Sequence, residues 1–188
     1  MKLKENLPLK ELIRRISLSD QENFPFPENL EAYLEDFVPN ILLKSETLQK
    51  AFGISPYEME EIYSTAYIHY QEDHFLEACT GFRWLTLLNP FIVKYWMGLA
   101  ASLQLLEKYE KALHAYAVAA LLDSENPYPH FHAYECYVDL DNKEEAEKAL
   151  DLSYMRTIGK DAYRDLQEEI KVLKKEWLCP SEFKLKQQ

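Results

Sequence analysis

The chain has 188 residues, 47% of them apolar, with 21 Lys and Arg against 32 Asp and Glu and a formal net charge of −11. That length suits one domain with arms or a short repeat array, and the apolar share suits a folded chain rather than a disordered one. An acidic surface repels phosphate backbones and argues against a nucleic-acid partner, and no apolar run reaches the roughly 18 residues that direct membrane insertion requires.

In chain order, "MKLKENLPLKELIRR" lacks an apolar core and a small-residue cleavage site, so it does not read as a secretory signal. Residues 1–54 read as a helical arm. It holds the amphipathic "LKELIRRISL", the proline-punctuated "NFPFPEN", and two helical stretches meeting near Pro39, about Glu28 to Phe37 and Ile41 to Phe52. Phe37, Val38, Ile41, Leu42, Leu43, Leu48 and Phe52 are more apolar residues than a solvated leader needs. The arm therefore either packs on the rest of the chain or makes a dimer contact, with Phe37, Val38, Ile41, Leu42 and Leu48 as the candidate dimer residues. "SPYE" then reads as an N-cap serine (Ser55), a proline at the first helical position and a capping-box glutamate (Glu58).

From here the chain repeats itself. "HFLEACTGF", "KYEKALHAY" and "NKEEAEKAL" align with Ala78, Ala112 and Ala146 spaced 34 residues apart, and a large residue follows four later at Phe82, Tyr116 and Leu150. Phe75, Tyr109 and Lys143 stand three before each alanine. Trp96 and Leu99 hold large positions in the preceding helix of the middle repeat, and Asn89-Pro90 closes the first. A 34-residue period with a small residue and then a large one in its second helix is the tetratricopeptide pattern. Each unit is a helix hairpin that cannot bury its own apolar face, so neighbours stack, and the alanine lets two helices approach. The expected fold is all-α: a tetratricopeptide-repeat solenoid of three helix hairpins over 55–158 (about 59–92, 93–126 and 127–158). In the third repeat Lys143 replaces an aromatic, and Tyr134 stands where a small residue is usual. Tyr163, Leu166, Ile170, Leu173 and Trp177 then recur at helical spacing as a C-terminal capping helix over 159–178, followed by a mobile tail, 179–188. Only 4 glycines and few β-branched runs agree with helix throughout. Three unpatterned cysteines, Cys79, Cys136 and Cys179, suit a reducing cytoplasm.

In "EIYSTAYIHYQEDHF" the tyrosines Tyr63, Tyr67 and Tyr70 form a second stripe beside Ile62, Ala66 and His69. If the stripe of Ile62, Ala66 and His69 packs on neighbouring helices, the tyrosines face the concave side of the array. Equivalent positions in later repeats are Met97, Ala101 and Gln104, then Phe131, Glu135 and Val138. The candidate peptide-binding groove is therefore Tyr63, Tyr67, Tyr70, Phe75, Lys94, Met97, Ala101, Gln104, Leu105, Tyr128, Phe131 and Glu135. Tyrosine offers a flat apolar face at low rotamer cost, and such faces receive the proline rings of an extended peptide. The competing reading is that these rings fill space under the arm.

No catalytic residues are expected. "HFHAYEC" carries His130, His132, Glu135 and Cys136, but on a helix His130 points about 200° away from His132, and neither an H-E-x-x-H nor a cysteine pair is present. His69, His74 and His114 read as structural or solvated, so no metal site and no cofactor are expected. There is no glycine-rich phosphate loop and no serine in G-x-S-x-G. A clamp for an acidic C-terminal tail would need lysines and asparagines where Tyr63, Tyr67, Met97 and Ala101 stand.

The pieces "IYSTAYIHYQEDHFLEA", "GLAASLQLLEKYEKALHAY" and "FHAYEC" resemble the tetratricopeptide class II chaperones of bacterial type III secretion systems, the SycD/LcrH type, over roughly Ser55 to Tyr154. The resemblance implies a non-enzymatic cytoplasmic chaperone that keeps hydrophobic, membrane-inserting translocator proteins soluble before export. It implies a groove that takes an extended Pro-x-Leu-x-x-Pro-like segment, and a homodimer through the helices before the first repeat. Tyr63, Tyr67 and Tyr70 match the family's aromatic groove residues, and Phe75 matches an aromatic at the first inter-helix turn. Tyr134 departs from the small residue in the family's "FHA-small-EC" pattern, and the arm and tail are longer than the family core. The alternatives are a tetratricopeptide scaffold or regulator with another peptide ligand and, in a different class, a metal-dependent enzyme.

Overall fold

The computed structural model describes residues 47–178. The candidate dimer residues Phe37, Val38, Ile41 and Leu42, and the tail with Cys179, lie outside the described residues. Among the described residues there are eight α-helices, one short 3-10 helix and no strand. The helices are α1 Leu48–Ala51, α2 Pro56–Gln71, α3 Phe75–Leu88, α4 Val93–Leu105, α5 Tyr109–Leu122, α6 Tyr128–Asp139, α7 Lys143–Thr157 and α8 Arg164–Leu178, with the 3-10 turn at Asp161–Tyr163. The all-α class expected from the sequence is the one found. The chain divides after Leu106 into two compact units, the first ending with α4 and the second beginning with α5.

The helical stretch expected over Ile41 to Phe52 is corrected at Thr47. That residue is extended, and its hydroxyl accepts from the Lys50 amide, so a new helix is capped there. Leu48 is partly buried, and α1 lies beside α3, tied by Asn89 Nδ2 donating to Gln49 Oε1 at 2.8 Å. At α2 the capping box is complete. Ser55 Oγ accepts from the Glu58 amide, and the Glu58 carboxylate accepts from the Ser55 amide at 2.8 Å, satisfying donors that a helix start otherwise leaves open. Those bonds to Ser55 also hold the Glu58 carboxyl below its ordinary value.

The three short polar turns share one backbone solution. Asp73, Glu107 and Asp141 take φ values of 61°, 57° and 53°, again 34 residues apart. At the first, the His74 amide donates to His69 O and the Asp73 amide to Tyr70 O. At the third, the Asn142 amide donates to Tyr137 O and the Asp141 amide to Val138 O. This paired closure normally uses glycine at the left-handed position.

In the first unit α3 lies between α2 and α4. Ala78 and Leu85 are fully enclosed, Phe82 nearly so, and burying a side chain the size of Phe82 contributes roughly 1.5–3 kcal/mol. Two glycines set the helix spacing. A Cβ on Gly81 would fall 2.7 Å from the Ala66 Cβ, and one on Gly98 would fall 2.4 Å from the Phe82 ring.

In the second unit Ala112, Ala115, Tyr116 and Ala119 are the buried face of α5. The core beyond it gathers Phe131 and Tyr134 of α6, Ala146, Ala149 and Leu150 of α7, and Leu166 and Ile170 of α8, with Leu173 packed against them. Tyr134, at the position usually small, is buried in that cluster with its ring 6.1 Å from Phe131. The connection from α5 to α6, Asp123 to Pro127, is pinned to α7: Ser153 Oγ donates to Pro127 O at 3.0 Å and Arg156 Nε to Ser124 O at 2.7 Å. Lys160, just past α7, donates to Glu125 Oε2 at 2.8 Å.

Candidate functional site

The tyrosine stripe becomes a ladder of parallel rings on α2. Tyr63 and Tyr67 stack with centroids 6.2 Å apart and planes 8° from parallel, and Tyr67 and Tyr70 at 6.4 Å and 15°. Phe75, the first residue of α3, closes one end edge-on to Tyr70 at 5.8 Å. At the other end Tyr63 meets Phe82 edge-on at 5.8 Å and Tyr95 of α4 at 5.9 Å. Tyr67, in the middle, keeps 45% of its surface exposed. Ile62 and Ala66 of the neighbouring stripe are buried, and His69 partly so.

A charge sits on the Tyr63 end. Lys94 Nζ lies 4.0 Å from the Tyr63 ring centroid and donates to Glu60 Oε2 at 2.6 Å. Glu60 and Lys94 are 34 residues apart, so they hold one register position on two successive first helices. Burial pushes the Tyr63 phenol above its ordinary value while Lys94 pulls it back. Tyr95 is pushed up by burial and then by the nearby Glu60. Both rings therefore present neutral hydroxyls near neutral pH. Of the remaining α4 positions, Met97, Ala101 and Gln104 are partly buried and Leu105 is exposed.

In the second unit Tyr128 is half-exposed, edge-on to Tyr163 at 5.8 Å and stacked on His132 at 6.3 Å. Glu135 is partly buried, its Oε2 2.8 Å from His132 Nδ1. Phe131 does not line an open surface. It is 8% exposed and belongs to the core cluster. The position partly exposed at Tyr63 turns inward here because α8 supplies Leu166 and Ile170 to the same cluster. The sequence reasoning missed Glu60, Tyr95, Phe82, His132 and Tyr163 as neighbours of the candidate residues. The 34-residue register would have found Glu60 from Lys94.

Around "HFHAYEC", Cys136 is fully enclosed, and burial, helped by Glu135 and Asp139, pushes its thiol up to about 12. It is a packed, protonated thiol rather than a nucleophile. Burial, with Arg156 nearby, pushes His130 below its ordinary value. Among the described residues no helix is long and apolar enough to cross a membrane.

A tetratricopeptide-repeat family model matches residues 93–126. The low calcium response locus protein H of Yersinia pestis is 30% identical over 117 residues, which are 62% of this chain and 70% of that protein. Among solved structures, a chain of a CopN–Scc3 complex is 44% identical with a TM-score of 0.71, over 88% of this chain and 97% of that one. The Yersinia enterocolitica type III secretion chaperone SycD, in complex with a peptide of the translocator YopD, is 30% identical with a TM-score of 0.58, over 64% of this chain and 98% of that one. With helical repeats on a 34-residue period and relatives matched along most of their length, the chain belongs to the tetratricopeptide class II chaperones of type III secretion systems.

Proposed function

We propose that this chain is a cytoplasmic, non-enzymatic chaperone that holds an extended segment of a hydrophobic translocator protein against the tyrosine ladder, keeping the cargo soluble and competent for export. The observation that carries the reading is the ladder itself. Three parallel rings continue onto Phe75 and Tyr95, with the central ring half-exposed. Stacked phenols form a rigid apolar plate with hydroxyls at its edge, suited to proline and leucine side chains of a Pro-x-Leu-x-x-Pro-like segment. SycD, solved with a translocator peptide, lends support by kinship. A net charge of −11 disfavours acidic tails and nucleic acid and favours neutral or basic apolar segments.

Within this reading Lys94, Met97, Ala101, Gln104 and Leu105 extend the surface on α4, and Tyr128 and Glu135 are the candidate contacts of the second unit. The domain plan follows: an arm over 1–54 that pairs two copies, repeats over 55–158, a capping helix over 159–178 and a tail over 179–188.

The test is a titration of a fluorescently labelled Pro-x-Leu-x-x-Pro peptide against the wild type and Tyr67→Ala. A micromolar Kd, near −8 kcal/mol, is expected for the wild type. Loss of the central ring should weaken it by about 1–3 kcal/mol, roughly 5- to 150-fold, with helicity by circular dichroism unchanged. An unchanged Kd in a folded Tyr67→Ala protein would remove the ladder from the binding surface.

A further inference from the structure

The turn between α2 and α3 gathers three side chains to which the proposed peptide surface assigns no role. His69 lies in the last turn of α2, Glu72 is the residue just past it, and His74 is the residue just before α3. Each offers one ligand atom, and the three atoms lie within 4.8 Å of one another. His74 Nδ1 is already 3.6 Å from Glu72 Oε2, and the two imidazole rings are 6.0 Å apart, centre to centre. A second observation is independent of that proximity. His69 Nδ1 is buried and has no hydrogen-bond partner. An enclosed polar atom left unpaired is uncommon in a folded protein, and a bound ion or water is one way to satisfy it.

We propose that His69, Glu72 and His74 form a binding site for a divalent transition-metal ion of the zinc type. The donor set of two imidazoles and one carboxylate is one that zinc takes with three protein ligands, leaving a fourth position to water. Nitrogen donors select against magnesium and calcium, which require oxygen. Zinc bonds of about 2.0–2.2 Å put tetrahedral ligand atoms roughly 3.4 Å apart. The present spacing closes to that by side-chain rotation, since the Glu72 and His74 side chains are each 59% exposed. The negative end of the α2 dipole adds to the attraction for a cation.

The backbone already brings the ligands round. Asp73, in the left-handed region, reverses the chain so that the His74 amide donates to His69 O at 2.9 Å. An ion held here ties the last turn of α2 to the start of α3. Tyr70 and Phe75, the next residues after His69 and His74, make the edge-on pair that ends the ladder. The ion would therefore brace that end.

The experiment uses the full chain, stripped with EDTA and titrated with zinc chloride by calorimetry. Wild type, His74→Ala, Glu72→Gln and His114→Ala are compared, and the imidazole resonances are followed by NMR. One zinc should bind in the micromolar range and raise Tm. Affinity should fall at least about tenfold in His74→Ala and in Glu72→Gln, as loss of a ligand costs no less than loss of its supporting hydrogen bond, and should hold in His114→Ala. Signals of His69 and His74 should move. No binding by the wild type, equal affinity in His74→Ala, or movement of the His130 and His132 signals instead would each overturn the proposal. Because both substituted ligands are exposed, folding does not depend on them.

Discussion

Gly98→Ala opposes two effects whose sizes the structure sets. Gly98 is an interior residue of α4, where alanine is favoured over glycine by about 0.8–1 kcal/mol through backbone entropy. Against this, the new methyl would lie 2.4 Å from Phe82 Cε1 and 2.6 Å from both Cδ1 and Cζ. Phe82 is 1% exposed, with Tyr63 edge-on at 5.8 Å, so the ring has little freedom to retreat. Overpacking a core costs about 1–3 kcal/mol, and a contact this short against an enclosed ring belongs at the upper end. The net expectation is a loss of about 1–2 kcal/mol, a Tm lowered by roughly 2–8 °C for a chain of this size. Thermal and urea unfolding by circular dichroism measure it. The same substitution in a Phe82→Leu background should be neutral or stabilising, because the clash is gone and the helix propensity remains. A Gly98→Ala protein as stable as the wild type would refute the argument that this glycine sets the α3–α4 spacing.

Glu107→Gly should stabilise by about 0.5–1 kcal/mol, since Glu107 pays a steric cost at φ 57° that glycine does not. Its urea midpoint should rise, and a fall would show that the glutamate side chain matters more than its backbone. Cys136 makes a prediction about alkaline pH. Its folded value, about 12, lies above its ordinary value of 9.0. The stability it contributes is therefore fully present below about pH 9 and is lost as pH climbs from 9 toward 12. Urea midpoints measured from pH 8 to 10.5 should fall more steeply for the wild type than for Cys136→Ala, and parallel slopes would contradict the assignment.

What the sequence made legible was whatever obeys the repeat. Ala78, Ala112 and Ala146, each 0% exposed, and Phe82, Tyr116 and Leu150 are buried as the period requires. Ser55 and Glu58 cap α2 as their local chemistry dictates. The period misled where a repeat lacks a repeat as its neighbour. Carrying the Tyr63 position forward by two periods placed Phe131 on an open face, yet α8 follows the third hairpin, and its Leu166 and Ile170 share Phe131's core cluster. Tyr134 fits at a normally small position because two alanines, Ala146 and Ala149, share that cluster.

The turns were the least legible part, and for a physical reason. The polar stretches "QEDH" and "DNKE" mark where the helices of the first and third repeats part, but left-handed backbone is ordinarily announced by glycine, and here Asp73, Glu107 and Asp141 adopt it, so the tightness of each reversal had no sign in the composition. A turn at "QEDH" leaves the distance between His69 and His74 open, and a helical wheel would set them about 140° apart, so neither points to a shared cluster. Once Asp73 turns back, the two rings come to 6.0 Å, with the Glu72 carboxylate beside His74. Helical spacing thus explains why the tyrosines stack along α2. Its failure two residues past the helix end explains why three such side chains can gather at that end without a sequence motif to mark them.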